Sequence, residues 1–338
     1  MLAFDLFILL AGLGIIILSC ELFTNGVEWA GCKLDLGEGA VGSVMAAVGT
    51  AMPETVVPLV AILLGGDEGE QVGIGAILGA PLMLSTTAIF ATGLAILIFA
   101  RKGGRRLELD ADSEIISRDL RFFLAVFAVA VAAAFLPTGA PKYALAPVLL
   151  ALYLLYAVRK FRAHAGGSEG VDDMRPLHFC RNTPSPPSLL VAAQVLLALG
   201  GIVGGARLFV SSVEAVSDAA GVPALVLALL IAPLATEMPE SVNSVLWVRR
   251  GKDTLALGNI SGAMVFQSCI PTTVGLTLTP WVLRGENLPG LVSAIFAMAA
   301  TLFVCAAARR ERVLRAPVLT CAGAFYLAFL VYVVLAAG

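Results

Sequence analysis

Three glutamates stand where an ionised side chain is costly. Glu54 lies within the apolar stretch Val41–Leu64, and Glu237 and Glu240 lie within Val222–Val248. A charge at the centre of a bilayer costs on the order of 2.5–3.5 kcal/mol even on lenient insertion scales. These two stretches, and the apolar runs that follow them (Val72–Phe99 and Thr254–Leu276), contain no Lys, Arg or His and no other acidic residue. The carboxylates are therefore either protonated or neutralised by a mobile cation, and both options belong to an ion pathway. Thr50 and Glu54 are four residues apart and share a helix face, as do Thr236 and Glu240; Glu237, three before Glu240, joins that face. Pro53 and Pro239 lack backbone donors and break a helix locally, which frees carbonyls around Gly49-Thr50 and Ala235-Thr236. Non-helical backbone is tolerated at membrane depth only where it is buried in protein or lines a cavity. Carboxylates plus freed carbonyls suit a hard cation such as calcium, which takes about 6–8 oxygens. Cys269 is the only thiol in these four stretches, so a soft-metal site is not expected.

Blander readings compete with this one. Pro-Glu also begins ordinary helices, with Pro in the first turn and Glu favoured by the dipole, but long apolar runs flank both motifs. Gly75, Gly79, Gly258 and Gly262 are close-packing positions, neighbours of the site, or both. Glu21, Glu28, Glu214 and Arg207 fall near the ends of apolar runs and read as solvated or snorkelling groups. His164 and His178 lie in a polar segment and are expected to be exposed. An intramembrane enzyme would need an aspartate pair, a Ser–His arrangement or an HExxH helix. No Asp falls in the four central stretches and no His in any apolar run.

The elements that must carry these residues follow from the rest of the chain. Its 338 residues are 59% hydrophobic and only 14% charged, against roughly a quarter charged in soluble proteins. Ten spans are predicted: Phe4–Phe23, Val41–Leu64, Val72–Phe99, Leu120–Leu136 and Tyr143–Val158, then Leu189–Val210, Val222–Val248, Thr254–Leu276, Leu288–Ala307 and Pro317–Ala337. The first is read as a permanent span and not a removable signal. Six cysteines form no CxxC pair and read as buried thiols. Residues 159–187 form a linker whose composition suits a flexible connection. Clusters such as Arg101–Arg106, Arg159–Arg162, Arg249–Lys252 and Arg309–Arg315 all follow odd-numbered spans, so that side is cytoplasmic; Lys142 and Arg284 are the basic residues of the opposite loops. Both termini are then expected outside.

At an offset of 186 residues the chain matches itself. Gly14 meets Gly200, Val27-Glu28 meets Val213-Glu214, Thr50 meets Thr236, and Met52-Pro53-Glu54 meets Met238-Pro239-Glu240. Each copy holds an odd number of spans, so the second is inverted, and inverted repeats place substrate near the midplane at their junction. The expected fold is an all-α polytopic membrane protein of ten transmembrane helices in two inverted five-helix repeats. Residues 1–158 form the first repeat, 159–187 a cytoplasmic linker, and 188–338 the second repeat.

These motifs resemble the cation/calcium exchanger superfamily, especially its sodium/calcium exchanger branch. The family carries two copies of G-T-S-L-P-E, each followed by a helix reading roughly L-A-L-G-N-x-x-G-S-N-I-F-N/D. The copies here read GTAMPE (Gly49–Glu54) and ATEMPE (Ala235–Glu240), and Leu255–Gln267 reads LALGNISGAMVFQ; the stretch from Gly75 keeps only the glycines. The resemblance implies that calcium binds Glu54 and Glu240, with Thr50 and Thr236 as helper oxygens and a polar position at Gln267, matched by Leu84 in the first copy. The motif serines are replaced by Ala51 and Glu237, the later-helix serines by Ala80 and Ala263, and the later-helix asparagines by Pro81 and Met264. Those small groups help sodium bind in the family, so sodium use is in question, while Glu237 adds a carboxylate that can attract a divalent ion or carry a proton. The resemblance implies antiport of calcium or a similar divalent ion against Na+ or H+ by alternating access, spans one and six sliding past the core, with no bound cofactor. A proton-coupled exchanger without sodium use, a passive cation channel and a non-transporting relative are the alternatives. The bilayer and the exchanged ions are the expected partners, with no nucleic acid, in a monomer of a prokaryotic plasma membrane.

Overall fold

Among the described residues each predicted span holds a helix. The computed structural model describes residues 2–33, 52–66, 68–101, 106–109, 113–164, 175–181, 183, 185–311 and 314–337. In chain order the helices are α1 (Leu2–Lys33), α2 (Met52–Leu64), α3 (Gly69–Met83), α4 (Ile89–Arg101), α5 (Ser113–Ala132) and α6 (Ala140–His164). The second half contains α7 (Ser188–Ala220), α8 (Ala224–Thr236), α9 (Met238–Arg249), α10 (Asp253–Leu278), α11 (Leu288–Glu311), α12 (Ala316–Cys321) and α13 (Gly323–Ala337). A π-turn at Leu84–Ala88 joins α3 to α4 as one rod, α8–α9 and α12–α13 are broken rods, and ten rods result among the described residues. Seven meet plain criteria of length and hydropathy for crossing a membrane. The other three have visible reasons: α2 is described only from Met52, α5 starts with charged residues, and α10 carries the polar residues of the candidate site.

The two longest helices, α1 and α7, lie against each other. At 32 and 33 residues they extend to about 50 Å at 1.5 Å per residue, longer than a hydrocarbon core of about 30 Å, which a helix accommodates by tilting. They run antiparallel: Gly12 approaches Gly205 and Phe209, Ser19 approaches Gly201, and Gly26 approaches Val195. A Cβ on Gly12 would sit 3.0 Å from the Phe209 nitrogen, so glycine sets how closely the backbones pack. Equivalent helices of the two halves thus point in opposite directions, as an inverted repeat requires.

Two apolar clusters divide the molecule. One joins α1, α2 and α7 with parts of α3 and α8; the larger is built from α3–α6 and α8–α13. They meet where α3 crosses α8: a Cβ on Gly75 would lie 2.6 Å from the Leu225 carbonyl oxygen, and one on Gly79 would collide with the Leu229 carbonyl. These two glycines are close-packing positions.

Charged residues adapt in three places that composition does not reveal. Asp119 on α5 is fully buried and its Oδ2 lies 3.0 Å from Lys160 Nζ on α6. The same oxygen accepts from Ser261 Oγ on α10 at 3.2 Å, and Lys160 also donates to Tyr156 Oη at 2.7 Å. Removing the cation from such a pair strands a buried carboxylate, at about 3 kcal/mol. Lys160→Met is therefore expected to lower thermal stability in detergent more than the double variant Asp119→Asn/Lys160→Met does; equal losses would show that the pair is not coupled.

Lys142, expected in a loop, is instead 1% exposed and donates to the Pro280 and Trp281 carbonyls beyond the end of α10. The C-terminal part of the linker is likewise no loose connection. Asn25 Nδ2 donates to the Arg175 and Pro176 carbonyls, the His178 N–H donates to Asn25 Oδ1, and the Phe179 N–H donates to Gln194 Oε1. Gln194 Nε2 also donates to the Leu22 carbonyl at 2.9 Å. Leu177 is completely buried and His178 is half-buried, its Nε2 3.8 Å from Glu21. The expectation of an exposed His178 fails because two buried amides of α1 and α7 hold its backbone.

Candidate functional site

The broken rod α8–α9 creates the site. Pro233 and Pro239 bracket the break, and Pro239 has no N–H to offer the Ala235 carbonyl. Glu237 is the single residue between the two helices, at φ −95° and ψ −5°. Its N–H still reaches the Pro233 carbonyl at 2.9 Å, and its carbonyl accepts from the Ser241 N–H at 3.1 Å. The interruption is thus one residue wide. Glu240 sits in the first turn of α9, and Glu54 in the first turn of α2 as described. The N-terminus of α9 places its positive end beside Glu240.

The three glutamates come together. One carboxylate oxygen from each of Glu54, Glu237 and Glu240 lies within 4.8 Å of the other two. The residues are 5%, 0% and 3% exposed. None forms an ion pair among the described residues. Glu54 Oε1, Glu237 Oε2 and Glu240 Oε2 are buried without a hydrogen-bond partner, and so are both amide atoms of Gln267 on α10. Buried polar atoms are normally satisfied, and an unpaired buried carboxylate is among the costliest groups a fold can carry. Oxygens of this type, converging and unsatisfied, fit a hard cation, whereas no thiol is among them.

Neighbouring polar residues hold the cluster. Thr236 Oγ1 donates to Glu237 Oε1 at 3.0 Å, so this threonine supports Glu237, although the four-residue spacing had paired it with Glu240. Asn259 Nδ2 reaches the Glu240 carbonyl at 3.4 Å, and Ser244 Oγ donates to the Ala256 carbonyl at 2.9 Å, which ties α9 to α10. Asn259 was visible in the LALGN string without a role attached. Gln267 is completely buried and within polar reach of Glu237. Thr50 and the carbonyls around Gly49 lie outside the described residues.

In the first copy the position equivalent to Gln267 is apolar. Leu84, matched with Gln267, is buried at the start of the π-turn, a distortion common at functional sites. Ser85 Oγ donates to the Leu82 carbonyl at 3.1 Å and Ser268 Oγ to the Val265 carbonyl at 2.8 Å. Each hydroxyl hydrogen is thus used within its own helix.

Comparison with known proteins agrees with this architecture. The sequence profile described as sodium/calcium exchanger protein matches residues 4–162 and 190–338. The inner membrane protein YrbG of Escherichia coli K12 is 24% identical over 266 residues, covering 76% of this chain and 77% of its own. CaxA of Alkalimonas amylolytica, named as a candidate antiporter, is 25% identical over 275 residues and covered to 81%, as is this chain. Among solved structures, the H+/Ca2+ exchanger CAX superposes with a TM-score of 0.72 at 18% identity, covering 98% of this chain and 86% of that one. The sodium-calcium exchanger NCX_Mj superposes at 0.57 and 17% identity, covering 98% and 99%. With the profile matched on both halves and the fold shared, the chain belongs to the sodium/calcium exchanger protein family.

Proposed function

We propose that this exchanger-family membrane antiporter carries calcium, or a similar divalent cation, with Glu54, Glu237 and Glu240 as its charged ligands. The observation that carries the proposal is the set of three buried carboxylates whose oxygens lie within 4.8 Å of one another, each with an oxygen left unsatisfied. Three ionised carboxylates at that separation repel strongly, and a divalent ion neutralises two charges at once. Gln267 Oε1 supplies a neutral ligand oxygen, Thr236 orients Glu237, and Thr50 completes the first half. Alternating access about this site, with α1 and α7 moving against the core, delivers the ion to either face.

The counter-ion in this reading is the proton. Glu237 occupies the place of one motif serine, and Ala51, Ala80 and Ala263 stand at the other serine positions of the family pattern. The fold also superposes better on CAX, an H+/Ca2+ exchanger, than on NCX_Mj, a sodium-calcium exchanger. Calcium uptake by proteoliposomes is expected to follow an imposed proton gradient and to change little when choline replaces sodium. A sodium gradient that drives uptake equally well at every pH would reject proton coupling. Counterflow measurements separate an exchanger from a channel, because only an exchanger is accelerated by calcium on the opposite side.

The same proposal assigns residues 1–158 and 188–338 to the two inverted repeats, with 159–187 on the cytoplasmic side and both termini outside. The two-part profile match and the placement of basic residues support it. The functional unit is a monomer, each chain holding a complete carboxylate set.

A further inference from the structure

The two halves match in sequence, yet the structure treats them differently at one pair of positions. Glu214 near the end of α7 accepts a hydrogen bond from the Gly66 N–H beyond α2, Oε1 to nitrogen 3.0 Å. A Cβ on Gly66 would lie 3.0 Å from Glu214 Oε2, so a larger residue there would push the carboxylate back by a few tenths of an ångström. The contact lines a surface recess of about 670 Å³, bounded also by Val60, Leu64 and Arg207, which does not reach Glu54, Glu237 or Glu240. At the repeat offset, Glu214 corresponds to Glu28 on α1, and the Gly65-Gly66 turn corresponds to Gly251-Lys252 after α9. Among the described residues Glu28 makes no such hydrogen bond; the charge it faces is Arg175 of the docked linker.

Packing shows the same asymmetry. Helix α7 lies along α2, where Val56 and Val60 are 8% and 5% exposed. Their counterparts on α9, Val242 and Leu246, are 50% and 43% exposed. Among the described residues the α1–α7 pair therefore leans on the half of the core near Gly66 and not on the equivalent half near Gly251. Because the repeats are inverted, these two ends face opposite sides of the membrane.

We propose that Glu214 and Glu28 are paired latches, positioning residues that hold the α1–α7 unit against one end of the core or the other. With Glu214 on Gly66, the Gly66 end is shut and the Gly251 end open. In the opposite state Glu28 engages the Gly251-Lys252 turn, α1 covers Val242 and Leu246, and the Glu214 contact is broken. The turn that receives Glu28 follows Arg249 and Arg250 and includes Lys252, so that latch gains an electrostatic component. The proposal rests on the exchanger reading, since it concerns which side of the carrier is open.

The test places single reporter cysteines, Val60→Cys or Leu246→Cys, in full-length protein whose six native cysteines are replaced, and measures their labelling by a small maleimide. In the parent, Leu246→Cys is expected to label quickly and Val60→Cys slowly. Glu214→Gln strips the charge from this hydrogen bond and leaves a weaker neutral acceptor, and should raise Val60→Cys labelling by about tenfold while slowing Leu246→Cys. Gly66→Ala attacks the same latch from the other side and should act in the same direction. Glu28→Gln should shift both rates the opposite way, and the double variant Glu28→Gln/Glu214→Gln should return them towards the parent. Shifts of the same sign in Glu28→Gln and Glu214→Gln, or no shift in either, would overturn the latches. Calcium flux in the parent is read separately, so an intact accessibility pattern without flux would reject transport and leave the gating inference standing.

Discussion

Glu54→Gln and Glu240→Gln are each expected to abolish calcium flux, a fall of at least about 100-fold. Glutamine keeps the volume and one oxygen of glutamate, so the loss isolates the charge. Calcium sites are tuned over several decades of affinity by ligand charge and number. Even partners one layer removed from a metal cost about 10–100-fold when deleted, and loss of a direct charged ligand should exceed that. The two residues are related by the 186-residue repeat offset, so their effects should be similar in size. Radioactive calcium uptake into vesicles checks this, with calcium-dependent thermal stabilisation as a readout independent of turnover. Undiminished uptake in both variants would remove the two residues from the site. Loss of uptake with full stabilisation would place them in the movement and not in the binding.

How much of this could be read from the chain depends on whether the signal was local. Spans follow from apolar length alone, and all ten stretches gained a helix. The repeat was legible because TAMPE and TEMPE stand in one ungapped register, and the antiparallel α1–α7 pair is its consequence in space. Glu54 and Glu240 were legible because long apolar runs flank both carboxylates, which the ordinary helix-start reading of Pro-Glu leaves unexplained. Other features arise between distant segments and leave no local trace. Lys142 looks like a loop cation until the 280–281 carbonyls turn out to surround it. Residues 175–181 look like a tether until Asn25 and Gln194 are seen to hold them. Helical spacing assigned Thr236 to Glu240, but a break at Glu237 cancels that spacing, and the hydroxyl goes to its nearer neighbour. Gly75 and Gly79 could not be classified before α8 was known to cross α3 at those positions.

Glu237→Gln is expected to separate binding from coupling. With calcium absent, the site holds three carboxylates and, among the described residues, no ion pair; burial and mutual repulsion oppose full ionisation. Calcium brings two positive charges, so its arrival expels protons, as metal binding to acidic ligands generally does. In the proposed reading Glu54 and Glu240 balance the divalent ion, so Glu237 is the surplus charge and would carry the exchanged proton. Its Oε1 is already engaged by Thr236, while Oε2 is unsatisfied, leaving one oxygen free for either a proton or the ion. Calcium titrations in buffers of different ionisation enthalpy count the protons released. The variant should release about one fewer per calcium bound while still binding calcium with roughly tenfold weaker affinity, and its uptake should lose most of its response to a proton gradient. An unchanged proton count would return the coupling role to Glu54 and Glu240. The neutral side chain also removes the repulsion that keeps the empty site unfavourable, so Glu237→Gln should be more stable than the parent without calcium and gain less when calcium is added. A variant that loses affinity yet gains stability when empty is what a surplus buried charge predicts, and a purely structural glutamate would show the reverse.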